Sequence, residues 1–94
     1  MKIVWTRFAV ESLKDIYQYY LETANPALAA KIRNGIISEA KKINKYPLSG
    51  QRQEVLSPLQ HDYRYFLKNH YKIVYRIIND ELLITDIFDT RQNP

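Results

Sequence analysis

A chain of 94 residues, 46% apolar and 13% aromatic, has material for one hydrophobic core and too little length for two domains, so residues 1–94 read as a single domain. The absence of cysteine excludes a disulfide scaffold, a zinc ribbon and a thiol nucleophile. The net charge of +4 lies in residues 1–60, with nine Lys+Arg against five Asp+Glu, while residues 61–94 carry five of each; this excess favours an acidic partner without singling out nucleic acid.

Along the chain, Lys2-Ile3-Val4-Trp5-Thr6 is short, β-branched and aromatic and reads as a strand. The charges of Lys2 and Arg7 interrupt it, so neither a signal peptide nor a membrane span is expected, and the cytoplasm is the expected compartment. Apolar residues then recur by threes and fours at Ala9, Leu13, Ile16, Tyr17, Tyr20 and Leu21, the spacing of a helix, with Thr6 as its N-cap. Asn25-Pro26 ends that helix and starts another, because proline disfavours the helical conformation in the residue before it yet fits a first helical position. Ala29, Ile32, Ile36, Ala40 and Ile43 form the apolar stripe of this second helix, down to about Lys45. Pro47 and Gly50 stop it, and 46–58 reads as an irregular crossing anchored by Leu48, Val55 and Leu56.

The last third changes period from 3.6 to 2. Two alternating runs, Tyr63–Lys68 and Tyr71–Ile78, flank the short turn Asn69-His70, and a third strand covers Leu82 to Phe88 after the turn at Asn79-Asp80-Glu81. The order predicts an α+β fold: an N-terminal strand, an antiparallel helical hairpin, then a three-stranded antiparallel sheet with the helices on one face. With Tyr63, Tyr65, Leu67, Ile73, Tyr75 and Ile77 placed under the helices, Arg64, Phe66, Lys68, Lys72, Val74 and Arg76 share the opposite face. That face is cationic and partly apolar and has no predicted element over it, as a docking surface for an acidic partner with an apolar side would.

The order and spacing of several short pieces carry a family resemblance. They are Trp5-Thr6 with Ala9 and Leu13-x-x-Ile16, Asn25-Pro26 with Ala29-Ala30, Pro47-x-x-Gly50-x-Arg52, Glu54-Val55-Leu56, Asp62-Tyr63-Arg64, the run Tyr71–Ile77 and the closing run Asp86–Pro94. Together they resemble the RelE/ParE superfamily of toxins over nearly the whole chain. The resemblance implies a toxin neutralised by a cognate antitoxin, and one of two activities: RelE-type cleavage of messenger RNA on the ribosome, without metal, or ParE-type inhibition of DNA gyrase. Fold alone does not separate them. RelE-type cleavage implies cations for the phosphate and proton-transfer groups on the sheet face and C-terminal segment, and Arg64, Lys72 and Arg91 fall on its basic positions. Its second lysine position is Phe66 in this chain, and no tyrosine follows Arg91. These departures favour the ParE side, leaving a nuclease and a degenerate antitoxin-binding member as alternatives. The expected partner surface comprises Arg64, Phe66, Lys68, Lys72, Val74, Arg76 and Arg91, and no cofactor is expected.

Plainer readings stand beside these. Arg64, Lys68, Lys72 and Arg76 are also what a solvated sheet face carries, and Arg64 is placed to stack on Tyr63 or Tyr65. Arg91 has Asp89 or Asp86 as an ion-pair partner. His61 and His70 read as surface residues near turns, with no third ligand spaced for a metal. Core packing accounts for Tyr17, Tyr20, Tyr63, Tyr65 and Tyr75 without a stacked base.

Overall fold

The computed structural model describes residues 1–52 and 63–91. The elements are β1 (Lys2–Trp5), α1 (Arg7–Thr23), α2 (Pro26–Lys45), β2 (Gln51–Arg52), β3 (Tyr63–Lys68), β4 (Tyr71–Ile78) and β5 (Glu81–Asp89). No described helix is long and apolar enough to cross a membrane.

The helix boundaries follow the local signals. The Thr6 side chain accepts from the Ala9 N–H at 3.2 Å, while the Thr6 N–H donates to the Ile84 carbonyl at 3.0 Å, so one residue both caps α1 and ties its start to β5. Asn25 caps α2 by accepting from the Leu28 N–H at 2.8 Å, with Pro26 at the first helical position. Lys42 and Lys45 lie in the last turn of α2, where positive charge complements the helix dipole.

The sheet has five strands in the order β1-β5-β4-β3-β2. The expected antiparallel set is present as β3, β4 and β5, and β1 joins it in parallel along β5, pairing Lys2 with Glu81 through Trp5 with Ile84, so the sheet is mixed. Asn79 and Asp80 both have positive φ, 51° and 61°, as a type I′ hairpin turn requires. One irregularity decides the packing of β5. The partner of Val74 is Asp86 but that of Tyr75 is Ile84, leaving Thr85 as an extra residue, a β-bulge. Ile84 and Ile87, three apart, are thereby both buried on the helix side with Leu82.

The same pairing corrects the facing of β3. Its loop to β4 is two residues long, so Lys68 pairs with Tyr71, Phe66 with Ile73 and Arg64 with Tyr75. Directly opposed residues share a face, which puts even-numbered residues of β3 with odd-numbered residues of β4. Arg64, Phe66 and Lys68 therefore lie on the helix side, whereas the sequence reading placed them opposite; Tyr63, Tyr65 and Leu67 take the outer face instead. Phe66 is accordingly a core residue beside Tyr75, with ring centroids 6.0 Å apart.

The core under α1 and α2 is built from Ala9, Ile36 and Ala40 of the helices against Phe66, Tyr71, Ile73, Tyr75, Leu82, Ile84 and Ile87 of the sheet. Leu13, Ile16, Tyr20, Ile32 and Ile43 pack at its margin, as their helical spacing predicted. Leu48, expected as an anchor, is 65% exposed. Val55, Leu56 and His61 lie outside the described residues.

Candidate functional site

The face of the sheet turned away from the helices carries Tyr63, Tyr65 and Leu67 of β3 beside Arg76, Val74 and Lys72 of β4, paired in that order. Leu83, Asp86 and Phe88 of β5 continue it, opposite Arg76, Val74 and Lys72. The Lys72 ammonium lies 4.1 Å from the Tyr65 ring centroid and 5.9 Å from that of Phe88, and the Arg76 guanidinium lies 5.3 Å from the Tyr63 ring. Such cation–π contacts contribute about 0.5–1 kcal/mol each at exposed sites, enough to hold the long side chains down over the rings. The Tyr65 hydroxyl donates to Gln51 at 2.6 Å, fixing that ring. The Nε of Arg76 is buried without a hydrogen-bond partner among the described residues. The result is a cationic, aromatic patch with two of its cations already arranged.

On the helix side the predicted site residues do structural work. The Arg64 guanidinium donates to the carbonyls of Leu48 and Gly50, both at 3.1 Å. Next to it the Tyr75 hydroxyl, on a fully buried side chain, donates to the Pro47 carbonyl at 2.7 Å and accepts from the Gly50 N–H at 3.1 Å. Together they fasten the segment leaving α2 to the sheet. Gly50 is required there: a Cβ at this position would run into the Tyr75 hydroxyl and sit 2.8 Å and 2.9 Å from Cε1 and Cζ of the same immobile ring. Lys68 faces Glu39 of α2 at 4.0 Å, and Glu39 also pairs with Lys42 at 3.3 Å.

Arg91 stands apart from both groups. Its Nε and a terminal guanidinium nitrogen donate to the two carboxylate oxygens of Asp89 at 3.2 Å and 3.1 Å, and its backbone N–H donates to the same carboxylate at 2.8 Å. The plainer sequence reading of Arg91, an ion pair with Asp89, is thus realised. These bonds hold the Asp89 carboxyl below its usual range and push Arg91 further up. The pair rims a groove of about 650 Å³ between α1 and the end of β5, lined also by Ser12, Asp15, Tyr19 and Phe88. Behind it the Tyr71 hydroxyl donates to Tyr20 at 3.3 Å, and burial, followed by that bond, pushes the Tyr71 hydroxyl well above its ordinary value. His70 lies 3.4 Å from the Tyr20 hydroxyl and 3.8 Å from Asp89, so this turn residue also faces inward. Sequence reasoning missed this groove, although the spacing of Ser12, Asp15 and Tyr19 along α1 was a usable signal. A smaller groove of about 420 Å³ lies along the helical hairpin, where Arg33 sits 4.6 Å over the Tyr17 ring beside Val10 and Leu13.

The chain matches the family model described as ParE toxin of type II toxin-antitoxin system, parDE, over residues 3–94. It belongs to the ParE toxin family. A search of curated proteins gives no match. Among solved structures, one titled "Chromosomal ParDE TA system from P. aeruginosa" is similar, at 24% identity over 95% of each chain and a TM-score of 0.78, which establishes a shared fold. In this ParE-family chain the three cations that a RelE-type reaction would use do not converge. Arg64 and Lys72 lie on opposite faces of the sheet, and Arg91 is held by Asp89 at the groove beside α1. Among the described residues no cluster of three acidic or histidine side chains stands ready for a metal.

Proposed function

We propose that this chain is the toxin of a type II toxin–antitoxin pair, that a cognate antitoxin neutralises it, and that its target is DNA gyrase. The family match over residues 3–94 supports the toxin and antitoxin roles. Support for gyrase over the ribosome and its message comes from the separation of Arg64, Lys72 and Arg91. Phosphate-stabilising groups must converge within hydrogen-bond reach of one reacting centre, and cations on two faces of a sheet do not. The toxic activity is then one of binding, with no bond made or broken by this chain.

The antitoxin is proposed to occupy two surfaces. Lys72 and Arg76, poised over Tyr65, Phe88 and Tyr63, suit acidic side chains flanked by apolar ones. The hairpin groove at Val10, Leu13 and Tyr17 suits an apolar stripe of a helix or extended segment. Adding the purified protein to gyrase and relaxed plasmid should abolish supercoiling. Undiminished supercoiling at stoichiometric excess, with A-site cuts appearing in translated messages, would replace this reading with the nuclease. Undiminished supercoiling without cuts would leave an antitoxin-binding member that has lost toxicity.

A further inference from the structure

We propose that the outward face of α2 is a further binding surface, which lies along the phosphate backbone of duplex DNA irrespective of base sequence. At about 100° per residue, Ala27, Lys31, Asn34, Ser38, Lys41 and Lys45 fall within a sector of about 80°, turned roughly 160° from the buried face of Ala29, Ile36 and Ala40. All six are exposed, and none lines the hairpin groove or the outer sheet face proposed for the antitoxin. Lys42, also exposed, stands at the edge of the sector with Glu39 beyond it at 3.3 Å, and Glu39 is the only carboxylate of the helix.

The placement of charge identifies the occupant. The chain's net charge of +4 equals the charge of Lys31, Lys41, Lys42 and Lys45 alone, since 14 Lys+Arg stand against 10 Asp+Glu. A helix face that is only solvated interleaves opposite charges, as Arg7 and Glu11 do on α1 at 3.2 Å. Lys41 and Lys45 are instead like charges one turn apart, an arrangement that works against the helix. The helix dipole favours Lys42 and Lys45 in the last turn, but not Lys31 near the opposite end. Lys31, Lys41 and Lys45 have no ion-pair partner among the described residues, so their charge is available to a polyanion. From Lys31 to Lys45 the helix rises about 21 Å, the length of about six base-pair steps. Asn34 and Ser38 between them are small enough to let the helix close on the backbone, and both can donate to phosphate oxygens. An anionic membrane is the poorer fit, because the stripe has no large apolar side chain to insert. An acidic protein is poorer for the same reason, since the stripe offers it no aromatic or aliphatic anchor.

Fluorescence anisotropy of a labelled duplex of arbitrary sequence tests this with neither gyrase nor antitoxin present, so its failure leaves the toxin reading standing. The full chain should bind with a Kd of about 100 μM or tighter at about 50 mM salt, and about a hundredfold more weakly at about 200 mM. Four neutralised phosphates give a slope of about −3.6 in log K against log salt, and Lys41→Gln with Lys45→Gln should halve it to about −1.8. The same pair should weaken binding at the lower salt by about tenfold or more. Arg7→Gln with Lys14→Gln removes equal charge from α1 and should change the slope and the affinity far less. Glutamine keeps the helix propensity of lysine, and circular dichroism checks that both variants are folded. Polyglutamate and phosphatidylserine vesicles, titrated in the same buffer, should bind more weakly than the duplex. No binding at a protein concentration of about 1 mM, or equal weakening by the two pairs of substitutions, overturns the proposal. So does polyglutamate or a vesicle that binds as tightly as the duplex, which would give the face to an acidic protein or to a membrane.

Discussion

Removing the single hydroxyl of Tyr75 tests whether the helix side of the sheet is a structural clamp. Tyr75→Phe keeps the buried ring but deprives the Pro47 carbonyl and the Gly50 N–H of their hydroxyl partner. A buried backbone group left without its partner costs about 1–3 kcal/mol, and with the Gly50 N–H buried and the Pro47 carbonyl partly so the change should cost about 3 kcal/mol. For a domain of this size that corresponds to a fall in Tm of roughly 12–24 °C. Urea unfolding followed by circular dichroism should show a lower midpoint with an unchanged slope, the signature of altered stability with unaltered compactness. Arg64→Met, which strips donors from the carbonyls of Leu48 and Gly50, should also destabilise. Because both residues hold the same segment, the double variant should depart from additivity by at least about 0.5 kcal/mol. The reasoning fails if Tyr75→Phe lies within about 0.5 kcal/mol of the wild type. It also fails if Arg64→Met costs only antitoxin affinity, which would return Arg64 to the partner surface.

Lys72→Ala and Arg76→Ala should each weaken antitoxin binding by about 1–2 kcal/mol and flatten its salt dependence, as isothermal titration at two ionic strengths would show, while the lost ring contacts should lower stability by no more than about 1–2 kcal/mol. The Asp89 carboxyl titrates below its ordinary 3.8 because Arg91 favours the charged form, so its stabilisation is complete above that value and disappears as pH falls through the lower folded value. The stability gap between wild type and Asp89→Asn should therefore close as pH falls through the lowered Asp89 value, as urea midpoints followed from neutral pH into acid would report. Asp80→Ala places a side chain without local hydrogen-bonding capacity at φ 61° and should cost about 1 kcal/mol by thermal unfolding, whereas Asp80→Gly should be tolerated.

Much of the fold was legible because its signals are local. Thr6 and Asn25-Pro26 mark both helix starts without reference to anything distant, and the stripe from Ala29 to Ile43 marks the inner face of α2. The facing of β3 was misread because both alternating sets contain apolar residues: Tyr63, Tyr65 and Leu67 on one side, Phe66 on the other. Three apolar residues outweighed one flanked by cations, yet the two-residue loop at Asn69-His70 fixes the opposite parity. That information was in the sequence, in the loop length and not in the composition. The bulge at Thr85 and the parallel docking of β1 on β5 had no comparable local mark, since each depends on which edge is free after the hairpins form. At the candidate site, Lys72, Val74 and Arg76 were placed on the correct face, while Arg64, Phe66 and Lys68 followed the misread strand. The groove at Arg91 escaped because it is assembled from residues of α1, the β4 start and the β5 end, far apart in the chain.

One preparation assayed side by side for gyrase supercoiling and for cleavage of translated messages tests the functional account most directly. Supercoiling should be lost in proportion to added protein and restored by an equimolar cognate antitoxin, with messages left intact. Intact supercoiling alongside cut messages would contradict it, and would mean that cations on separate faces of this sheet serve a reaction that their geometry argues against.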